Sequence, residues 1–174
     1  MNNINITSSD IKKFMNCLLV KDTFDNFLLE EASITTYNTF TIDGHIQRDF
    51  FSEDEVESLP DKLLSTWGTV KPHCFNLIKG SKLPLRFKIV LKASSSYTEK
   101  LLNGHPCGLT LKDLGGLYIN IRYDSHRSLD GSETGTAALD CISMASLNIF
   151  SMDKTLEKAW DSVCEKAIGG ILSV

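Results

Sequence analysis

The spacing of the apolar residues changes along the chain, and each change marks a predicted element. Residues 3–6 are predicted as a short strand and residues 8–19 as a helix, because the apolar positions of 8–19 share one helical face. Over residues 34–46 the period becomes two, with threonines on alternate positions, which predicts a half-solvated strand. The turn signal Asp43-Gly44 within this stretch predicts either one hairpin or one bent strand.

The middle of the chain alternates between apolar and basic side chains. We predict a hairpin there, with a first strand at 74–78, a turn at 79–82 and a second strand at 85–91. The rest of the pattern predicts a weak helix at 59–67, a short helix at 97–102, a strand at 117–123, a polar loop at 124–135, one or two strands at 137–150, and a helix from Asp153 to Gly169-Gly170.

These elements indicate an α+β fold. Helices at both ends enclose strands that look antiparallel, so we expect two layers, with a mostly antiparallel sheet packed against the N- and C-terminal helices. The 174 residues are enough to bury a core without disulfide bonds, and we expect one domain over residues 1–174.

The cysteines and the hydropathy bear on the compartment. The odd number of cysteines and the lack of a C-x-x-C pair favour reduced thiols, and no apolar run reaches the length of a membrane span. The N-terminus lacks the basic and apolar regions of a signal peptide. We therefore predict a cytoplasmic protein with five free thiols and no membrane association: Cys17, Cys74, Cys107, Cys141 and Cys164.

The charge distribution carries the clearest functional signal. Between Asp61 and Glu99 the chain has no acidic residue and seven basic ones, although the net charge of the whole protein is −4. Such asymmetry is typical of a surface that meets an acidic partner, either an acidic protein or a nucleic acid. The predicted hairpin 79–92 would present the binding residues: Lys79, Lys82, Arg86, Lys88 and Lys92. Two other interpretations are that the acidic residues at 53–57 neutralise this surface, or that it is an ordinary solvated sheet face.

Signals for catalysis and metal binding are weak. No phosphate-binding loop, dinucleotide fingerprint or known catalytic motif occurs, so no cofactor is predicted. Asp43, His45 and Arg48 bring an acid, an imidazole and a guanidinium close in sequence, which suits acid–base chemistry but also suits a solvated turn. The pairs His73-Cys74 and His105/Cys107 match no common zinc spacing, and no metal site is predicted.

Two resemblances add to this picture. The segments FLLEEASITTYNTFTIDG (27–44), LIKG (77–80) and PLRFKIVLK (84–92) resemble a family of small uncharacterised proteins from Gram-positive bacteria, which has no assigned activity and so implies no catalytic residues. The opening order of a short strand (3–6), a helix (8–19) and a strand meander is similar to one repeat of a DNA sliding clamp. That resemblance implies a nucleic-acid-associated module, although the chain is too short for a full clamp subunit.

Three hypotheses follow. The leading one is a non-catalytic cytosolic binding or accessory protein that contacts an acidic partner through residues 79–92. The alternatives are a clamp-like or other nucleic-acid-associated module, and a small enzyme with its site near Asp43, His45 and Arg48. The sequence leaves a homo-oligomer open in each case.

Overall fold

A computed structural model describes residues 1–125 and 135–173 of the protein. Its centre is one sheet of six strands in the spatial order β1-β6-β5-β4-β2-β3, and every neighbouring pair is antiparallel. The described strands are β1 (Asn2–Ile6), β2 (Leu28–Thr35), β3 (Thr39–Asp43), β4 (Arg86–Lys92), β5 (Leu114–Asp124) and β6 (Ala138–Leu147).

Five α-helices accompany this sheet in the described residues. They are α1 (Ile11–Leu19), α2 (Glu53–Ser58), α3 (Trp67–Ile78), α4 (Ser95–Gly104) and α5 (Thr155–Leu172). The N-terminal α1 and the C-terminal α5 both pack into the core with the sheet, so the predicted α+β class and its two-layer arrangement are confirmed.

Alternation along the strands gives the sheet two different faces. In β5, the residues Leu117, Ile119, Ile121 and Tyr123 are buried and join the core cluster. The buried apolar residues of α1, α3, α4 and α5 belong to that same cluster. We call this side the core face, and it follows that these helices cover one side of the sheet only.

The opposite side, which we call the open face, carries the alternate residues of each strand. One row of hydrogen-bonded neighbours crosses all six strands and is polar throughout: Asn5, Asp140, Arg122, Lys88, Ser33 and Thr41. An antiparallel sheet with one face in the core and one polar face has the usual in–out alternation. The open face is therefore where the polar residues of the strands are displayed.

The predicted hairpin at 74–91 is wrong in its first half. Residues 74–78 form the end of α3, and residues 79–85 connect that helix to β4. Trp67 and Cys74 are both buried and lie seven residues apart, which is a helical spacing. The predicted weak helix at 59–67 is also wrong, since the described helices on either side are α2 and α3.

Two smaller predictions are wrong as well. The hairpin of β2 and β3 turns at residues 36–38 and not at Asp43-Gly44. Helix α5 runs through Gly169-Gly170 to Leu172, because Ile168 and Ile171 are buried and hold its last turns against the core. The predicted loop at 124–135 falls mostly outside the described residues.

None of the helices in the described ranges combines the length and the apolar character that a membrane crossing needs.

Candidate functional site

The structure does not bring the five predicted binding residues together on one face of the sheet. Arg86, Lys88 and Lys92 alternate along β4 with buried core residues, so they lie on the open face. Lys79 follows the last residue of α3 and its ammonium lies over the ring of Phe75, 5.7 Å from the centroid. Lys82 lies in the connection before β4, so the basic residues do not form one continuous stripe along a hairpin.

Strand pairing adds a fourth cation that sequence reasoning missed. Arg122 of β5 is the direct register partner of Lys88 in β4. Like charges directly opposite one another destabilise a sheet, typically by a few tenths to about 1 kcal/mol. The alternation in the sequence places Arg122 on the same strand face as Tyr118 and Asn120. Only the pairing of β5 with β4, which joins residues distant in sequence, brings Arg122 opposite Lys88.

Three of these cations, Arg86, Lys88 and Arg122, line a shallow concavity of about 250 Å³ on the open face. The strands β2, β4, β5 and β6 supply its walls. Its polar lining consists of Ser33, Thr35, Arg86, Lys88, Arg122, Asp124 and Asp140. The concavity thus combines two guanidinium groups and one ammonium with two hydroxyls and two carboxylates.

Acidic residues of the sheet itself partly balance the site. The ammonium of Lys88 pairs with Glu31 of β2 at 2.5 Å, and both side chains are nearly half exposed. Lys92 makes a cation–π contact instead, because its ammonium lies 5.5 Å from the ring centroid of Tyr118. Within the described ranges, none of the acids at 53–57 pairs with β4, and Glu57 pairs instead with Lys62 at 3.1 Å.

The two arginines are the cations best placed to receive a ligand. No ion pair within the described part of the chain involves Arg86 or Arg122. Their register partners Asp124 and Asp140 are each engaged in an interaction already. A guanidinium presents a planar fork of donors that matches a carboxylate or a phosphate, so this arrangement suits the binding of an anionic group.

One buried acceptor lies in the next row of the same face. The side-chain amide oxygen of Asn120 is buried and has no hydrogen-bond partner in the described residues. A buried acceptor is costly when it lacks a partner, so this oxygen is available to a donor from water or from a ligand at this part of the open face.

The second candidate site, near the end of β3, is only partly assembled. Asp43 accepts from the backbone of His45 at 3.0 Å and contacts its ring nitrogen Nδ1 at 2.6 Å. These two hydrogen bonds lower the pKa of the Asp43 carboxyl, and the bond from the backbone of His45 has the larger effect. Both side chains are more than half exposed, and Arg48 lines a different concavity with acidic residues of α2. The geometry is that of a solvated turn.

The cysteines and histidines that the structure describes do not converge on a metal site. In the described residues, no group of three histidine, cysteine or acidic side chains has the geometry to hold an ion. His73 and Cys74 both lie in α3, where Cys74 is buried and its pKa is raised to about 11 by that burial. A thiol of this kind stays protonated and unreactive near neutral pH.

The fold and the site together define an α+β protein with one helix-covered face and one open polar face that bears a cluster of cations. The chain belongs to a family of unknown function (DUF5721), whose model matches residues 17–169. That range includes all four open-face cations and confirms the resemblance to an uncharacterised family. No curated protein and no solved structure matches the chain.

Proposed function

We propose that the protein is a non-catalytic binding protein that holds an acidic segment of a partner protein on the open face of its sheet. The observation that carries this proposal is the placement of Arg122 directly opposite Lys88, with Arg86 beside them in one concavity. Lys88 is already paired with Glu31, whereas Arg86 and Arg122 take part in no ion pair in the described residues. An anion held by the two guanidinium groups would therefore gain charged hydrogen bonds and also offset the like-charge pairing of Arg122 with Lys88.

The pattern of charges favours an acidic protein over a nucleic acid. The cations of the open face are interrupted by carboxylates on neighbouring strands: Glu31, Asp43, Asp124 and Asp140. A nucleic-acid backbone carries closely spaced charges and would bring further phosphates against these carboxylates. A carboxylate side chain of a partner protein needs only one local cluster of donors, which is what Arg86 and Arg122 supply.

A cytoplasmic location in a Gram-positive bacterium is part of the proposal. The location is supported by the five cysteines, all of which are free thiols in the structure. Fractionation of cells that produce the protein with a small tag would test the location, and recovery in the medium would contradict it.

The binding proposal can be tested with fluorescence anisotropy and two labelled probes, a short oligo-glutamate peptide and a DNA duplex. Wild-type protein should bind the peptide, and the affinity should fall as salt is raised from about 50 to 300 mM. Arg86→Gln with Arg122→Gln should weaken peptide binding about tenfold or more, because hydrogen bonds to charged groups contribute roughly 1.5–3 kcal/mol each. The matched control, Lys79→Gln with Lys82→Gln, removes the same charge from the same basic segment away from the concavity and should have little effect.

Two outcomes would contradict the proposal. Equal losses in both double variants would show that only net charge matters. Tighter binding of the duplex than of the peptide would instead favour the clamp-like, nucleic-acid-associated module.

A further inference from the structure

A second surface lies on the helix-covered side of the protein. It is a groove of about 570 Å³ between α1, the end of α3 and the connection that leads to β4, and we call it the α1–α3 groove. Its lining is mostly apolar, and the residues that matter for binding are Val20, Phe75, Leu83, Phe87 and Tyr123.

The groove has a rigid floor and an exposed apolar rim. Phe87 and Tyr123 are almost fully buried at its base and stack face to face, with centroids 5.1 Å apart and planes 11° from parallel. At the rim, Val20 is 58% exposed and Leu83 is 77% exposed. Large apolar side chains that remain exposed beside an apolar groove are typical of an interaction surface.

The charged side chains that line the groove have a single sign within the described part of the chain. They are those of Lys12 and Lys79, which are both exposed. Among the described residues no acidic side chain lines the groove, and none occurs in α1 or in the segment 62–98, part of which forms the opposite wall. The acid-free segment therefore contributes to both sides of the sheet, since Arg86, Lys88 and Lys92 lie on the open face and Lys79 lines this groove.

We propose that the α1–α3 groove binds an acidic amphipathic helix of a partner protein. The apolar face of such a helix would lie over Phe75, Leu83 and the groove floor, and its acidic flanks would meet Lys12 and Lys79. The nine residues of α1 extend for roughly 14 Å, enough to accompany apolar anchors at positions i, i+3 or i+4, and i+7 of a docked helix.

Two other occupants fit less well. A small amphiphile such as a fatty acid would need a site that buries about 70–90% of its surface, and the rim here is open. Two copies that joined groove to groove would bring Lys12 and Lys79 of each copy together, which is unfavourable. This inference does not depend on the function proposed for the open face.

The experiment uses the full chain and three labelled designed peptides of about 18 residues, long enough to form helix in isolation. The first is amphipathic with leucine anchors and glutamate flanks, the second has the same leucines with lysine flanks, and the third is a scrambled acidic sequence. The first should bind clearly, and the other two should bind about tenfold more weakly or worse.

Charge reversal of the groove should exchange this preference. In Lys12→Glu with Lys79→Glu, the lysine-flanked peptide should become the better ligand. The control Lys100→Glu with Lys166→Glu changes two other exposed lysines by the same charge and should leave the preference as in wild type. The apolar contribution is tested by Leu83→Ser, which should weaken binding, beside Leu63→Ser at another exposed leucine, which should not.

Several results would overturn the inference. These are equal binding of the scrambled peptide, an unchanged preference after charge reversal, binding of palmitate but not of the acidic helix, and self-association that masks the groove. The open-face variant Arg86→Gln with Arg122→Gln should bind the amphipathic peptide as wild type does, so failure of one proposal is distinguishable from failure of the other.

Discussion

Removal of one buried indole should destabilise the protein strongly. Trp160 of α5 is fully buried in the core cluster. Its ring lies 6.5 Å from that of Phe27 and 6.2 Å from that of Tyr97, and its Nε1 donates to the carbonyl of Tyr118 at 3.0 Å. Trp160→Ala would remove these contacts together and leave a cavity between α5 and the sheet.

The expected loss can be worked from the buried area. An aromatic side chain of this size buries about 150–250 Å², which at about 25 cal/mol per Å² corresponds to roughly 4–6 kcal/mol. Residual burial in the unfolded chain lowers that figure by about 10–40%, to roughly 3–5 kcal/mol. Measured substitutions of buried large aromatics by alanine fall in the same range of about 3–5 kcal/mol.

Urea unfolding followed by fluorescence measures this directly. Trp67 is also fully buried and remains as the optical probe after Trp160 is removed. The free energy of unfolding should fall by the amount above with little change in the urea dependence. Trp160→Phe should lose less, since it keeps an aromatic ring and forfeits mainly the hydrogen bond to Tyr118.

A surface aromatic provides the control. Phe150 is 91% exposed, and Phe150→Ala should change stability by less than about 0.5 kcal/mol. A loss of similarly small size for Trp160→Ala would refute the placement of α5 in the core, and with it the two-layer arrangement.

Two further predictions concern the backbone and the thiols. Gly44→Ala would place a Cβ 1.8 Å from a backbone oxygen of β2 and should lower the urea midpoint sharply or prevent folding, whereas Gly104→Ala meets open space and should leave the midpoint nearly unchanged. Thiol titration in denaturant should find five free thiols, and a single one would contradict the structure. In the native protein Cys107, which is partly exposed, should react with a thiol reagent before the buried cysteines, while burial raises the pKa of Cys74 to about 11 and of Cys164 to about 12 and keeps both protonated near neutral pH.

Elements with a strong local period were predictable from the sequence. The predicted alternation of apolar and polar residues along β4 and β5 is confirmed, since one face of each strand is buried and the other is largely polar. The burial of Trp160 followed from its place on the apolar face of the last helix. In these cases the same residues that set the local period also set the packing, so local and global preferences agree.

Helix α3 shows where the local pattern misleads. Its segment contains Gly68 and Pro72, which are both poor helix formers, and its last residues are apolar enough to resemble a strand. Packing decides the outcome, because Trp67 and Cys74 enter the core only from a helix, and the Trp67 indole donates to the carbonyl of Leu18 at 2.7 Å. Tertiary burial here overrides weak propensity.

The candidate site was predictable only in part. Arg86, Lys88 and Lys92 were identified because they alternate within one strand. Arg122 could not be added without the register of β4 on β5, and Lys79 could not be assigned to the opposite side of the sheet without α3. Both depend on contacts between residues distant in sequence, which a single sequence does not specify.

Binding of an acidic segment to the open face can be located residue by residue with amide chemical shifts. Isotope-labelled protein titrated with the oligo-glutamate peptide should show concentration-dependent shifts that centre on Arg86, Lys88 and Arg122. Amides of α1 and α3 should move little, because they lie on the other side of the sheet. Shifts confined to those helices, or the lack of saturable shifts at low salt, would contradict binding at the open face.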